Sequence, residues 1–339
     1  MVPTPDAIPV NWLWFQSLLI LTFTIHMLLM NALLGTSLIS SYNFLKKRKD
    51  NQVAKTIPTL IALTVNFGVP PLLFVQALYG QYYYSSSIVM GIPWFLIIPF
   101  IIVGYYGAYI YVLKRKISPV FSGVSIVVSS IILLYIGFMM TNNFTLMVNP
   151  DTWKVYFETP SGNFLNLDDP SLFPRYIHFV VSAVAVGGLW RAVYARLKKG
   201  DESVIKNGLK IFSYATMVQI VIGLWFFFSL PRDIYMEFMG GNLIATIIFS
   251  LGFVLALVSI FVSIRGYYKT TIITALVTII TMIAQREYLQ FFYLKGYSPS
   301  SLEVTNEHGS LVMFLVTFLV GVYLIYYMIS LMLKSKREA

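Results

Sequence analysis

The stretch NWLWFQSLLILTFTIHMLLMNALLGTSLISSYNFLKKRKD, residues 11–50, decides the class of fold. Residues 11–42 contain no Asp, Glu, Lys or Arg. A helix crosses the hydrocarbon of a bilayer with about 20 apolar residues, and this run exceeds that length. It stops at Lys46, Lys47, Arg48 and Lys49. Clustered bases beside a span mark its cytoplasmic end. No basic segment precedes the run and no small-residue cleavage site follows it, so it reads as a retained span rather than a removed signal. The chain is expected to start outside the membrane and enter it at once.

The same pattern recurs along the chain. Apolar runs at about 57–80, 92–113, 118–141, 174–196, 208–230, 242–264, 270–293 and 309–333 bring the expected total to nine. Backbone groups in lipid must be bonded within their own segment, so each run should be helical. The expected fold is an all-α polytopic membrane protein, a single transmembrane domain over residues 1–339. Hydrophobic residues make up 58% and charged residues 11% of the chain, about half the charge of a soluble domain. There is no cysteine. That excludes disulfides, thiolate metal sites, iron–sulfur clusters and covalently attached c-type haem.

Net charge is +10, and its distribution is informative. KKRKD (46–50), KRK (114–116), RLKKGDE (196–202), KSKRE (334–338), Lys55, Arg191, Lys206, Lys210, Arg265 and Lys269 fall on one side, which holds 19 of the 24 bases. The other side holds 5 bases and 10 acids. By the positive-inside rule the N-terminus is outside and the C-terminus cytoplasmic, in a multi-pass cell membrane protein. The charge reports topology and gives no reason to expect a nucleic-acid partner. On the outer side, NNFTLMVNPDTWKVYFETPSGNFLNLDDPSLF (142–173) reads as a long loop suited to a functional or docking role. Tyr and Trp gather at the borders, as interfacial belts do.

Polar groups inside spans are costly and therefore informative. They include His26, Asn31, Asn66, Gln76, His178, Gln219, Gln285, Arg286 and Glu287, with His308 at the start of the last span. At 1.5 Å per residue, His26 lies about 9 Å below the outer border of its span. His178, His308, Arg286 and Glu287 also fall in the outer half. A neutral imidazole there serves as an axial ligand of haem iron, a proton relay or an interhelical hydrogen bond. His308, in TNEHGS, also suits a capping position. Arg286 and Glu287 point about 100° apart on a helix and need not pair. Arg286 faces an anionic group, such as a haem propionate, or snorkels to the border. In NFGVPPLLFVQALYGQ (66–81), Pro70 and Pro71 are expected to kink the second span and free carbonyls that Asn66 or a neighbour satisfies.

Taken together, FQSLLILTFTIHMLL (15–29), NFGVPPLLFVQALYGQYYYSSS (66–87) and NPDTWKVYFETPSGNFLNLDDPSLFPRYIHFVVSAVAVGGLW (149–190) resemble subunit I of the cytochrome bd-type quinol oxidases. The likeness runs over nearly the whole chain, which is short and divergent. It implies that His26 ligates haem iron near the outer face and His178 a second, low-spin haem b. Departures accompany it. Ile248 stands where the family has a haem-ligating methionine, Thr246 where it has an arginine, and Ile283 where it has a haem-ligating glutamate. The third span, PWFLIIPFIIVGYYG (93–107), lacks the carboxylates of proton delivery. The Gly-Arg-Gln-Pro-Trp signature is reduced to IAQREYLQ (283–290), which keeps Arg286, and the quinol loop between spans six and seven shrinks to about a dozen residues.

The expectation is therefore an electron-transfer subunit of a respiratory complex and not an oxygen reductase. It would carry one or two b haems on His26 and His178, with His308 as a replacement ligand and Arg286 on the cofactor. Quinol, other redox subunits and a multihaem cytochrome on the acidic outer face are the expected partners, beside membrane lipid. Two other readings compete. One is a haem-free anchor or quinone-binding scaffold in a larger redox complex. The other, a solute transporter, lacks the inverted repeats and paired broken helices of that class.

Overall fold

In the computed structural model, the described residues are 2–48, 52–158, 160–295 and 297–338, with side chains for all but 52, 325, 328, 329 and 332–338. The opening run forms α1 (Trp12–Leu45). Asn11 caps its start, its side chain accepting from the Leu13 amide at 2.9 Å. At 34 residues the helix is about 51 Å long, well beyond the hydrocarbon. It ends at Lys47, whose φ of +52° turns the chain back so that the Arg48 amide reaches the Asn43 carbonyl at 2.8 Å.

The remaining helices are α2 (Ile57–Val89), α3 (Gly91–Phe95), α4 (Ile97–Lys114), α5 (Pro119–Met147), α6 (Val155–Glu158), α7 (Leu172–Leu197), α8 (Glu202–Phe228), α9 (Arg232–Met236), α10 (Leu243–Ile264), α11 (Tyr268–Tyr293) and α12 (His308–Glu338). Among the described residues, eight helical segments are long and apolar enough to cross a membrane, α3 and α4 together forming one of them. The expected ninth span falls on α12, whose described apolar stretch is His308–Leu324. The fold is an all-α polytopic membrane bundle, and large apolar side chains such as Leu113, Leu243 and Ile273 face outward toward lipid.

The centre of the bundle is the pair α1 and α7. A Cβ added to Gly35 would stand 1.8 Å from the Ala183 carbonyl oxygen, and one on Gly187 would stand 2.4 Å from the Gly35 carbonyl carbon. No side chain fits between these backbones. One residue further along α7, Gly188 meets Gly208 of α8 in the same way, a Cβ on Gly208 falling 2.6 Å from the Gly188 oxygen. Thus α7 has a small-residue face at Ala183 and Gly187 for α1, and another at Gly188 and Ala192 for α8. Small residues permit the close backbone approach that lets helices associate without a hydrophobic driving force. Around this pair, α2, α4 and α5 pack on one flank, and α8, α10 and α11 on the other.

Buried hydroxyls tie the flanks. Ser41 of α1 bonds Ser130 of α5 at 2.8 Å, Ser129 of α5 donates to the Gly104 carbonyl of α4 at 3.0 Å, and Ser213 of α8 bonds Ser263 of α10 at 2.8 Å. The connections rich in bases gather at one end, where Trp190 of α7 donates to Thr56 just before α2 at 3.2 Å.

The opposite end is capped by the segment expected to be a long loop. The segment 142–173 is anchored along its length. α5 continues to Met147, and a 3-10 turn at Pro150–Lys154 then folds the chain back. Trp153 is buried and donates to the Leu146 carbonyl at 2.8 Å. Gly162, at φ +63°, turns its carbonyl to the Ile92 amide at 2.8 Å, and Phe164 donates to the Val89 carbonyl. The aromatic residues here build a core rather than only an interfacial belt: Tyr82 packs on Trp153 and Tyr297, and Tyr83 on Trp94.

The deformation in α2 is also displaced. The backbone stays helical at Pro70 and Pro71 and departs at Tyr79 (φ −135°, ψ 26°). Asn66 bonds the Ala62 carbonyl at 2.8 Å, one turn back, rather than a carbonyl left by the prolines. At the real break, the Tyr297 hydroxyl donates to the Leu78 carbonyl.

Gly187→Leu is expected to force α1 from α7 and to cost about 3 kcal/mol. Thermal unfolding in detergent, beside Gly321→Leu at a glycine with nothing within 4 Å, checks this. Equal melting of the two variants would refute the contact.

Candidate functional site

α1 and α7 run in the same direction. Their N-terminal halves share a neighbour, because Phe144 of α5 touches Arg175 of α7 and Arg286 of α11, while Arg286 also lies over Phe23 of α1. His26 precedes Gly35 by nine residues. His178 precedes Ala183 and Gly187 by five and nine. Both histidines therefore lie about 8–14 Å from the α1–α7 contact, toward the capped end.

They turn to opposite flanks. His26 points to α2, where its Nδ1 lies 3.0 Å from the Thr64 carbonyl oxygen. A carbonyl only accepts, so this bond places the proton on Nδ1 and leaves the lone pair on Nε2. Ligating histidines are held in the same way. The ring fills the hollow over Gly68, where a Cβ would come within 2.8 Å of it. His178 points to α8 and lies over Gly223, where a Cβ would come 3.0 Å from its Cε1. The Phe226 ring is 6.1 Å away. His178 Nδ1 is buried without a hydrogen-bond partner, as is Oε1 of Gln219, one turn before Gly223 on α8. Two unpaired polar atoms on facing helices are a cost that a bound water or ligand removes.

A cationic cluster lies beside them. Arg286 pairs with Glu287 at 2.6 Å despite their divergence on the helix. Both side chains are long enough to bend together, and their surroundings favour it, since Arg286 is only 24% and Glu287 14% exposed. Glu287 also accepts from Gln16 of α1 at 2.7 Å. The guanidinium of Arg286 is 4.7 Å from the Phe23 ring centre and 5.0 Å from that of Phe144. Arg175 lies 4.6 Å from the same Phe144 ring and 4.8 Å from Phe226. It reaches Ser171 Oγ at 3.4 Å, its Nε is buried without a partner, and it makes no ion pair among the described residues. Two guanidinium groups thus lie within about 10 Å of each other, with one carboxylate in direct contact. Arg175 is not among the residues that the sequence singles out. Its spacing of three residues from His178, one helical turn, was the available signal.

Other expected residues lie elsewhere. His308 is exposed at the start of α12. Ile248 contributes its carbonyl to Gln285 Nε2 at 3.1 Å. Among the described residues, no three His, Cys, Asp or Glu side chains group as a metal site. Haem iron requires fewer protein ligands than that, and imidazole and guanidinium groups are the kinds of donor that meet haem iron and its carboxylates. No family model matches the chain, and no curated protein matches its sequence.

Glu287→Gln leaves the partly buried Arg286 without its counter-charge and should destabilise the protein by about 1–3 kcal/mol. The double variant Arg286→Met/Glu287→Met should lose less, measured by thermal unfolding. A larger loss in the double variant would contradict the charge argument.

Proposed function

We propose that this chain is a membrane electron-transfer subunit of a respiratory complex, similar to cytochrome bd-type subunit I, carrying haem b and exchanging electrons between quinol and a redox partner at its capped, acidic face. The observation that carries this reading is the bond between His26 Nδ1 and the Thr64 carbonyl. It prepares Nε2 as a ligand at the level where His178 and the two arginines also lie. His26 and His178 would each hold haem iron through one ring nitrogen. Arg286 and Arg175 would meet the propionates. Haem supplies one-electron transfer.

The residues' own work is to orient and to hold charge. Thr64 fixes the His26 tautomer. Gly68 and Gly223 give the rings room. Glu287 and Gln16 fix Arg286. Because the histidines face different helix pairs, α1–α2 and α7–α8, they belong to two separate sites rather than the two sides of one haem. Oxygen reduction is not part of the proposal, given Ile248, Ile283 and the carboxylate-free third span. The orientation proposed is N-terminus outside and C-terminus in the cytoplasm.

A haem-free scaffold within a redox complex is the second reading. It is favoured by one observation, that each imidazole already packs on helix backbone at a glycine, as a structural histidine does.

Reduced-minus-oxidised spectra of the purified protein separate the two. Wild type should show a Soret band, and His26→Ala and His178→Ala should each remove about half of the haem. A colourless wild type that still co-purifies with redox subunits supports the scaffold. Loss of all haem in either single variant would show one shared site.

A further inference from the structure

We propose that the hollow between the start of α2 and the end of α4 holds the headgroup of an anionic phospholipid. The hollow has a volume of about 360 Å³, within the range of small-molecule pockets. It lies at the base-rich end, away from the histidines and the arginine cluster, and does not rest on the haem reading.

Three bases line it: Lys55 from the 3-10 turn before α2, and Arg115 and Lys116 just past α4. No acid lines it among the described residues. Its floor is Tyr111, 4% exposed, and the Arg115 guanidinium lies 5.9 Å from that ring's centre. Its outer wall is Leu113, 67% exposed, and Ile117, 77% exposed. The two halves of the lining therefore differ in kind. One offers the ammonium groups of Lys55 and Lys116 to a phosphate. The other is a strip of bare hydrocarbon continuous with the lipid-facing surface of α4. A phosphodiester with attached acyl chains satisfies both, whereas a free phosphate uses only the first. Basic hollows between helices at this side of a membrane suit anionic headgroups, and each base near the surface adds to the attraction. Lys meets a phosphate as a point charge with three donors.

The test uses the full chain, purified in detergent and exchanged through phosphatidylcholine micelles doped with phosphatidylglycerol. Native mass spectrometry then counts retained lipid. Wild type should keep one phosphatidylglycerol per chain in preference to phosphatidylcholine. Lys55→Gln/Lys116→Gln should weaken that retention about tenfold or more. Lys55→Arg/Lys116→Arg should restore it. Lys206→Gln/Lys210→Gln, two exposed bases on α8 at the same end, should leave it unchanged. Size-exclusion profiles confirm that each variant is folded. Equal loss from the α8 variant would mean diffuse charge and overturn the site. Retention of phosphatidylcholine as well as phosphatidylglycerol, or no retained lipid, would overturn it too. Displacement of the lipid by millimolar inorganic phosphate would assign the hollow to a free anion. Displacement by an acidic peptide alone would assign it to a protein partner.

Discussion

Everything else in this bundle depends on the backbone contact of α1 with α7. In lipid, apolar side chains gain little by leaving hydrocarbon for other hydrocarbon, so association rests on close packing and hydrogen bonds. Gly35, Ala183 and Gly187 allow that packing at the centre, where not even a methyl group fits. Two flanks of helices are then held at a fixed separation. The level of His26 and His178 follows from the same contact, since both are counted from it along rigid helices. A shift of α7 against α1 by one turn would separate them in depth by about 5 Å.

The cationic cluster depends on the flanks meeting at the capped end. Arg286 comes from α11, Arg175 from α7, and the ring between them from α5, one residue beyond Asn143, whose amide bonds Ser86 and Ser87 of α2. Buried charge of one sign requires compensation. Glu287 provides part of it through Arg286. At the rim, Lys295 does the same for Asp233 at 2.5 Å and holds that carboxyl below its usual range, but there both groups are exposed and the pair adds little. The contrast in burial is what makes the inner cluster the more informative of the two.

Much of the fold was legible from run length alone. The bilayer demands helices of a minimum length, so apolar runs and their basic ends reveal the spans directly. What was not legible depends on contacts distant in sequence. The double proline in α2 suggested a kink at 70–71, yet that stretch stays helical and the break falls at Tyr79, where Tyr297 meets the Leu78 carbonyl. Residues 142–173 read as a long outer loop from their turn formers, but how Trp153, Gly162 and Asn166 anchor it to α3 and α5 was not legible. For the site, the sequence revealed the histidines and the acid–base neighbours, but not the facing of each ring. That His26 looks to α2 and His178 to α8 depends on Gly68 and Gly223, whose role no local pattern announces.

The amide of Ile8 bonds the Glu303 carbonyl, and the Thr305 amide returns to the Ile8 carbonyl. This small clasp joins positions nearly 300 residues apart. A chain made from its N-terminus onward has α1, α2, α7 and α8 available long before residue 305 exists. These two bonds are therefore the last to form at the capped end, after residues 142–173 have already been placed over α3 and α5.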